Sequence, residues 1–274
     1  TRNSRELDAA MERLSTGKKI NSAADNASGL AITSSMTSQI RGLGAAIQNA
    51  NDAISMVSTA EGALDEITAM LQRMRELAVQ SGTGTTSAAD RTYLNSEFGA
   101  LRDEIDRIAD NTQWNGRNIL DGSAGASTGQ SAVGITIGID AATPWARTIS
   151  TFFGNFNNTT GSLSGLASKR LSAATVLSAI EVSSTAMGEL DTVITDVSSQ
   201  RATFGAVSNR LTHAIDNLTN VKINAEASRS RILDTDYAAT TSELAKRQIL
   251  QQAGVAMIAQ ANALPQTVMM LLSD

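Results

Sequence analysis

The residues of this chain whose types could do chemistry lie mainly in one charged cluster, at positions 102–107. Carboxylates beside guanidinium groups act as general acids and bases when their surroundings shift their pKa values. The spacing favours a simpler interpretation, because Asp103 with Arg107 and Arg102 with Asp106 are four residues apart and would form ion pairs along an exposed helix face. We therefore predict no catalytic residue in this cluster.

Residues that bind metals are scarce in this sequence. There is no cysteine, which excludes disulfides and thiolate metal sites, and His213 is the only histidine. Asp234 and Asp236 could hold calcium, but the glycine and glutamate of an EF-hand loop are missing from the required positions. A carboxylate here is better explained as a cap for the following helix. We expect no metal, no cofactor and no enzymatic activity, and we expect His213 to be exposed.

The composition limits the partners of the chain. Its net charge of −5 argues against binding to nucleic acid. No run of about 18 apolar residues is present, so we predict no membrane-spanning helix. Only 3% of the residues are aromatic, and there are two prolines. Such a chain is expected to pack helices through small and aliphatic side chains.

A seven-residue repeat of mostly apolar positions runs through the C-terminal third of the chain. Two interleaved series alternate steps of three and four residues over about six heptads, which is the period of a helix that packs along a partner helix. A helix of this length spans about 65 Å, more than a globular domain of this size needs, and predicts an elongated rod. The first series is Leu190, Val197, Phe204, Leu211, Leu218, Ala225 and Ile232, and the second is Val193, Gln200, Val207, Ala214, Val221 and Ser228.

The N-terminal half shows further helical patterns. A first helix is predicted to end at Gly17, and a second long helix is predicted from Gly29 to Gln80. Ser87 and Asp90 have the spacing of a capping box that opens a third helix. A turn at 115–116 is expected to close this helical half.

The centre of the chain, residues 121–165, is rich in Gly, Ser, Thr and Asn and is predicted to be a small β-rich insert. Its first strand should contain Val133, Ile135, Ile137 and Ile139, and residues 148–153 should pair with it across a turn at Pro144. The aromatic residues of the insert either stack on sugar rings or form its small core. They are Trp145, Phe152, Phe153 and Phe156.

The C-terminal end carries an apolar stripe that lacks an equally long partner in the sequence. Residues 4–14 could cover only part of it, and Pro265 is expected to interrupt or kink the helix. Each buried Leu-sized side chain contributes about 1.5–3 kcal/mol, so a bare stripe favours association. We expect another chain, or residues before Thr1, to complete this end. The stripe consists of Leu250, Ala253, Met257, Ala261, Leu264, Val268 and Leu271.

Together these patterns predict a mainly α protein, an elongated antiparallel helical bundle or coiled-coil rod with a small β-rich central insert. The predicted divisions are an N-terminal helix and linker at 1–30, a rod domain at 31–120 and 166–232, the insert at 121–165, and a C-terminal helix at 233–274.

Several blocks of the sequence resemble bacterial flagellin, the subunit of the flagellar filament. Only the centre is unmatched, since the resemblance covers about 1–120 and 165–274. The blocks are ERLSTGKKINSAAD at 12–25, GLAI at 29–32, NANDAIS at 49–55, EGAL at 61–64, LQRMRELAVQ at 71–80, SRSRILDTDY at 228–237 and QILQQAG at 248–254.

The resemblance implies a structural subunit that polymerises through its terminal segments for motility and lies outside the cell. Its implied partners are other copies of itself, the flagellar export apparatus and a chaperone. It also implies a further segment before Thr1, without which the chain is expected to polymerise poorly. The resemblance assigns filament-core packing to Leu250, Met257, Leu264, Val268 and Leu271.

The resemblance also marks one patch on the rod. By residue match, Arg73, Leu77 and Glu97 would contact a vertebrate innate-immune receptor and neighbouring subunits. We expect Arg73 and Glu97 to face outward and Leu77 to be an exposed apolar anchor. The simpler interpretation is that all three serve rod packing and subunit contacts only.

Two alternative functions remain open at this point. A hook–filament junction protein shares the two-ended helical plan, although the blocks at 21–25 and 248–254 favour flagellin. A flagellin-like cell-surface protein could instead bind an extracellular polysaccharide through the aromatic residues of the insert.

Overall fold

The computed structural model describes residues 2–123, 131–138, 148–156 and 176–272, with side chains not described at 2, 131–132, 176–180 and 262–272. The chain forms two compact units. The terminal unit consists of residues 1–42 and 220–274, and the central unit consists of residues 43–219.

Helices make up most of the described structure, and short strands lie between the third and fourth helices. No helix among the residues just given is both long enough and apolar enough to cross a membrane. The elements are α1 Arg2–Thr16, α2 Ala27–Ser81, α3 Ala88–Asn111, β1 Gln113–Trp114, β2 Arg117–Asn118, β3 Ser131–Thr136, β4 Thr148–Phe153, α4 Val176–Leu233 and α5 Tyr237–Leu272.

In the central unit, α2 and α4 pack side by side in opposite directions. Asp65 pairs with Arg201 at 3.1 Å, and Arg75 pairs with Asp191 at 2.7 Å, so residue numbers rise along one helix as they fall along the other. The part of α2 in this unit is about 58 Å long. The predicted antiparallel helical packing is confirmed, and its core contains Leu64, Ile67, Leu71, Met74, Leu190, Val197, Phe204 and Leu211.

The seven-residue repeat of α4 is buried over only part of its length. Its apolar positions are buried from Leu190 to Leu211 and Gln200 is half-buried, whereas Val221 in the terminal unit is exposed. The α2 side chains that face the end of α4 include Thr33 and Thr37, which line an open groove with Leu233. Since short hydroxyl side chains fill less space than Leu or Ile, the repeat positions at this end of α4 are not fully buried.

Helix α3 begins at the predicted capping box. The Ser87 hydroxyl accepts a hydrogen bond from the Asp90 backbone N–H, and the Asp90 carboxylate accepts one from the Ser87 N–H. The hydrogen bonds from the Ser87 hydroxyl and then its backbone N–H lower the pKa of Asp90. Phe98 and Ile105 of α3 are buried in the core of the central unit. Helix α3 therefore buries a further side of α2, next to the side that α4 buries.

Two antiparallel hairpins complete the described part of the central unit. Asn115 and Gly116 both have positive φ, 50° and 75°, as a two-residue turn between β1 and β2 requires. Strands β3 and β4 pair with Ile135 opposite Ile149, which confirms the predicted pairing of 148–153 with this strand. Ile139, Pro144 and Trp145 lie outside the described residues.

The described aromatic residues of the insert belong mainly to the core. Phe153 packs against Phe204 of α4 with ring centroids 5.2 Å apart and an interplanar angle of 51°. Phe156 is also fully buried, and its N–H bonds to the Leu120 carbonyl at 2.9 Å. Only Phe152 of this group is exposed. For Phe153 and Phe156, the interpretation as a small core is therefore the correct one.

In the terminal unit, the linker after α1 runs beside the linker before α5. Lys19 N–H donates to the Leu233 carbonyl at 2.7 Å, and Thr235 N–H donates to the Gly17 carbonyl at 3.0 Å. Gly17 has a φ of 68°, as expected for the residue that ends α1. A Cβ at this position would lie 3.0 Å from the hydroxyl oxygen of Tyr237, so two constraints favour glycine here.

Helix α5 begins at the predicted cap and is not interrupted at Pro265. The Asp236 carboxylate accepts hydrogen bonds from the N–H groups of Ala238 at 2.9 Å and Ala239 at 3.2 Å, which confirms its capping role. The helix continues through Pro265 to Leu272, so of the two expected effects of this proline the interruption is wrong. Proline removes a single N–H donor, and a long helix retains the bonds on either side.

Candidate functional site

The most exposed apolar surface of the terminal unit is one stretch of α5, residues 248–261, which we call the apolar segment. Every side chain in it is exposed, and none is charged. Leu250 is 48% exposed and Met257 is 69% exposed. Its large apolar side chains are Ile249, Leu250, Val255, Met257 and Ile258.

Helix α1 covers α5 only before the apolar segment begins. The Asn3 side-chain amide donates to the Arg247 carbonyl at 3.0 Å, and the Arg247 guanidinium pairs with Glu6 of α1 and with Glu243 of α5. Residues 4–14 were expected to cover part of the stripe that begins at Leu250. Their contacts with α5 instead lie before it, at Arg247, so this expectation is wrong for the described side chains. Beyond Arg247, the apolar segment has no covering helix among the residues with described side chains. The side chains of Leu264, Val268 and Leu271 lie outside that set.

Of the three predicted contact residues Arg73, Leu77 and Glu97, the structure brings Arg73 and Glu97 together. Arg73 Nε donates to Glu97 Oε1 at 2.8 Å, and Arg73 Nη1 donates to Glu76 Oε2 at 3.0 Å. These bonds, with Glu97 first, raise the pKa of Arg73. The side chains of Arg73 and Glu97 are 49% and 45% exposed, so both face outward as expected.

The expected exposure of Leu77 is wrong, since this side chain is 0% exposed. Leu77 belongs to the same core cluster as Met74 of α2 and Phe98 of α3. Because α3 packs beside α2 as α4 does, the buried face of α2 is broader than the stripe that one partner would cover.

The charged cluster at 102–107 forms surface ion pairs. Arg102 Nη2 lies 2.8 Å from Asp103 Oδ1, and Arg107 Nε donates to Glu104 Oε2 at 2.8 Å. This replaces the predicted pair between Asp103 and Arg107, because Glu104 is already within reach one position along the helix. The hydrogen bond from Arg107 lowers the pKa of Glu104.

No described group of three or more His, Asp and Glu side chains is arranged to hold a metal ion. His213 is exposed, as predicted.

Comparison with known proteins adds two family matches at the two ends of the chain. Residues 1–125 match the bacterial flagellin N-terminal helical region, and residues 187–272 match the bacterial flagellin C-terminal helical region. Residues 126–186 lie outside both matches.

Relatives align along nearly the whole chain. Flagellin A of Vibrio cholerae serotype O1 is 36% identical over 355 residues, with 97% of this chain and 94% of the relative covered. A flagellin of Halalkalibacterium halodurans is 42% identical over 268 residues, with 96% of this chain and 90% of the relative covered.

Solved structures with a similar fold include a putative flagellar hook-associated protein from Vibrio parahaemolyticus. Its TM-score is 0.64 at 12% identity, with 77% of this chain and 100% of that chain covered, which is a likeness of fold alone. The crystal structure of Bacillus cereus flagellin is 32% identical, with a TM-score of 0.48 and coverage of 62% of this chain and 88% of that chain.

Proposed function

This chain belongs to the bacterial flagellin family and is a structural subunit of the extracellular flagellar filament, and on that premise we propose that the apolar segment is its main polymerisation surface. The observation that carries the proposal is that every side chain of residues 248–261 is exposed and none is charged. A helix that exposes several large apolar side chains and no charge is favoured to associate.

The size of the apolar segment supports this role. Burying its five large apolar side chains would contribute about 7–15 kcal/mol for each copy, at about 1.5–3 kcal/mol for each side chain. Association costs about 4–15 kcal/mol in lost translational and rotational freedom. The two ranges overlap, so the gain from burying the segment is comparable with the cost of association, and further contacts are needed to make the polymer stable.

A paired substitution in the apolar segment tests the proposal. We expect Leu250→Asn with Met257→Gln, made in the native subunit in its own bacterium, to give soluble subunit in the medium and few or no filaments. Polar amides keep the helix soluble but cannot be buried without hydrogen-bond partners. Electron microscopy counts filaments, and sedimentation of the medium measures unpolymerised subunit.

The matched control changes polar residues of the same segment, Gln251→Asn with Gln252→Asn. We expect this variant to form filaments at wild-type levels. Wild-type filament numbers from the Leu250→Asn, Met257→Gln variant would refute the proposal. Subunit retained inside the cell would point to the export apparatus, which we propose handles the chain together with a chaperone.

A second contact surface is proposed at the Arg73–Glu97 pair. This pair is held at 2.8 Å on the surface of α2 and α3 and offers both charges to a neighbouring subunit or to a vertebrate innate-immune receptor. Leu77 is buried in the core and does not itself provide a contact. We propose no enzymatic activity, because the charged groups at 102–107 form ordinary surface ion pairs.

Exchanging the two charges tests this second surface. We expect Arg73→Glu with Glu97→Arg to keep the internal ion pair but reduce receptor signalling about thirtyfold, which corresponds to loss of a hot spot of about 2 kcal/mol. The control exchanges an ion pair of α3, Glu104→Arg with Arg107→Glu. Reporter-cell dose–response curves measure signalling, and identical curves for both exchanges would contradict receptor contact at Arg73 and Glu97.

The described structure adds no specific support for polysaccharide binding. Phe153 and Phe156 are buried in the core of the central unit, which leaves Phe152 as the one exposed ring among the described aromatic residues of the insert. The likeness to the hook-associated protein concerns the fold alone.

A further inference from the structure

A groove of about 510 Å³ lies within the terminal unit, between the linker after α1, the start of α2 and the end of α4. Lys18 of the linker and Arg41 of α2 line it, together with hydroxyl side chains such as Thr33 and Ser38. Arg229 of α4 reaches the same place, since its Nη1 lies 3.5 Å from the Thr37 hydroxyl. Three cationic side chains from three elements therefore meet at this groove, which sequence reasoning had not identified.

These cations are not neutralised by ion pairs, unlike several other basic residues of the chain. Arg73, Arg75, Arg201 and Arg247 are each in an ion pair with a carboxylate. Lys18, Arg41 and Arg229 have no carboxylate within ion-pair distance anywhere in the described ranges. Cations that share a groove without a counter-charge repel one another and attract an anionic partner.

The charge of the chain is divided unequally between its two units. The terminal unit has 11 Lys and Arg against 9 Asp and Glu, a formal charge of +2. The central unit has 11 Lys and Arg against 18 Asp and Glu, a formal charge of −7. The central unit also carries exposed carboxylates without an ion-pair partner among the residues described, namely Asp52, Glu61, Glu66, Asp196 and Asp216.

We propose that the groove at Lys18, Arg41 and Arg229 binds carboxylates of the central unit of a second copy of this chain. The proposal rests on the proposed function, since it names a second contact that polymerisation through the apolar segment requires. The two surfaces have opposite charge and are both present on every copy, which is the condition for a repeating head-to-tail contact. Exposed charge pairs of this kind set the rate, orientation and salt dependence of association.

Chemical cross-linking between isotopically distinct copies tests the groove. Native subunit labelled with ¹⁵N is mixed at high concentration with unlabelled subunit, and a carbodiimide then joins amines directly to carboxylates that touch them. We expect mass spectrometry to find mixed-isotope peptides that link Lys18 to a carboxylate of the central unit. We expect Lys19, which is exposed but does not line the groove, to give at least about fivefold fewer such links.

The outcome does not depend on long filaments, because soluble and pelleted fractions are analysed separately. Mixed-isotope Lys18 links in either fraction support the groove contact, whereas their absence from both overturns it. Sedimentation in the same experiment reports on the apolar segment independently. If inorganic phosphate protects Lys18 and no mixed-isotope link forms, the groove is a site for small anions, and the proposal is wrong.

A charge-reversal pair gives a second measurement. We expect Lys18→Glu with Arg41→Glu to slow polymerisation about tenfold at low salt and to remove most of its salt dependence. The control variant, Lys19→Glu with Arg231→Glu, changes the net charge of the terminal unit equally but lies outside the groove. Equal rates for the two variants would contradict a specific role of the groove.

Discussion

Replacing Phe204 by alanine is expected to lower the free energy of unfolding of the central unit by about 3–5 kcal/mol. Phe204 is fully buried on α4, and its ring contacts Phe153 of β4 at a centroid distance of 5.2 Å. Alanine would leave a cavity and remove an aromatic contact worth about 0.5–1.5 kcal/mol beyond the area buried. The β3–β4 hairpin would then lose this packing contact with α4 but keep the 2.6 Å hydrogen bond from the Gln200 amide to the Phe152 carbonyl.

Unfolding in guanidinium chloride, followed by tryptophan fluorescence, measures this effect. Both tryptophans lie in the central unit, so the signal reports on that unit. We expect Phe204→Leu to lose only about 1 kcal/mol because it keeps most of the buried volume. The control is Tyr93→Ala on α3, where the side chain is 75% exposed and little should change. Equal midpoints for Phe204→Ala and Tyr93→Ala would contradict the packing described above.

The second large effect is expected at Arg91, a buried arginine near the start of α3. Its Nε donates to the Ser81 carbonyl at 3.0 Å, and its Nη2 donates to the Thr83 carbonyl at 3.2 Å. The guanidinium therefore donates hydrogen bonds to carbonyl groups at the C-terminal end of α2. Its positive charge there also interacts favourably with the negative end of the helix dipole. Arg91 thus fixes the turn between α2 and α3.

Arg91→Met keeps the apolar stem but removes both donors, and we expect it to cost about 2–3 kcal/mol. Each hydrogen bond from a charged donor contributes about 1.5–3 kcal/mol, and relief from burying the charge offsets part of the loss. The stability of Arg91→Lys should lie between those of the wild type and Arg91→Met, because an ammonium group cannot span both carbonyls.

Chemical denaturation with the same fluorescence signal measures the Arg91 variants. The control is Arg107→Met on the same helix, whose exposed ion pair with Glu104 should contribute about 0–1 kcal/mol. A loss at Arg91 no larger than at Arg107 would show that the buried bonds add little stability.

Periodicity and capping motifs predicted the helices and turns well. The repeat from Leu190 to Leu211, the capping box at Ser87 and the hairpin turn at Asn115 depend on local spacing, and all three were confirmed. The pairing of β3 with β4 also followed from alternation in neighbouring segments. Local rules succeed where neighbours in sequence determine the conformation.

Features that depend on distant segments were missed. Leu77 was expected to be exposed because the pattern of α2 shows one buried stripe, and only the packing of α3 reveals a second. The cationic groove was missed because Lys18, Arg41 and Arg229 come from three separate elements. Nothing in the sequence indicates that Arg91 is buried, since an arginine near the start of a helix is usually exposed to solvent.

The pairing of α2 with α4 has a consequence for how the chain is made. Arg75 bonds to Asp191, a sequence separation of 116 residues, and Ser183 bonds to Ala78, a separation of 105 residues. A chain that emerges N-terminus first cannot close this core until its later third has followed, so high contact order delays folding. Until α4 follows, Leu64, Leu71 and the other apolar residues on this face of α2 lack the helix that buries them.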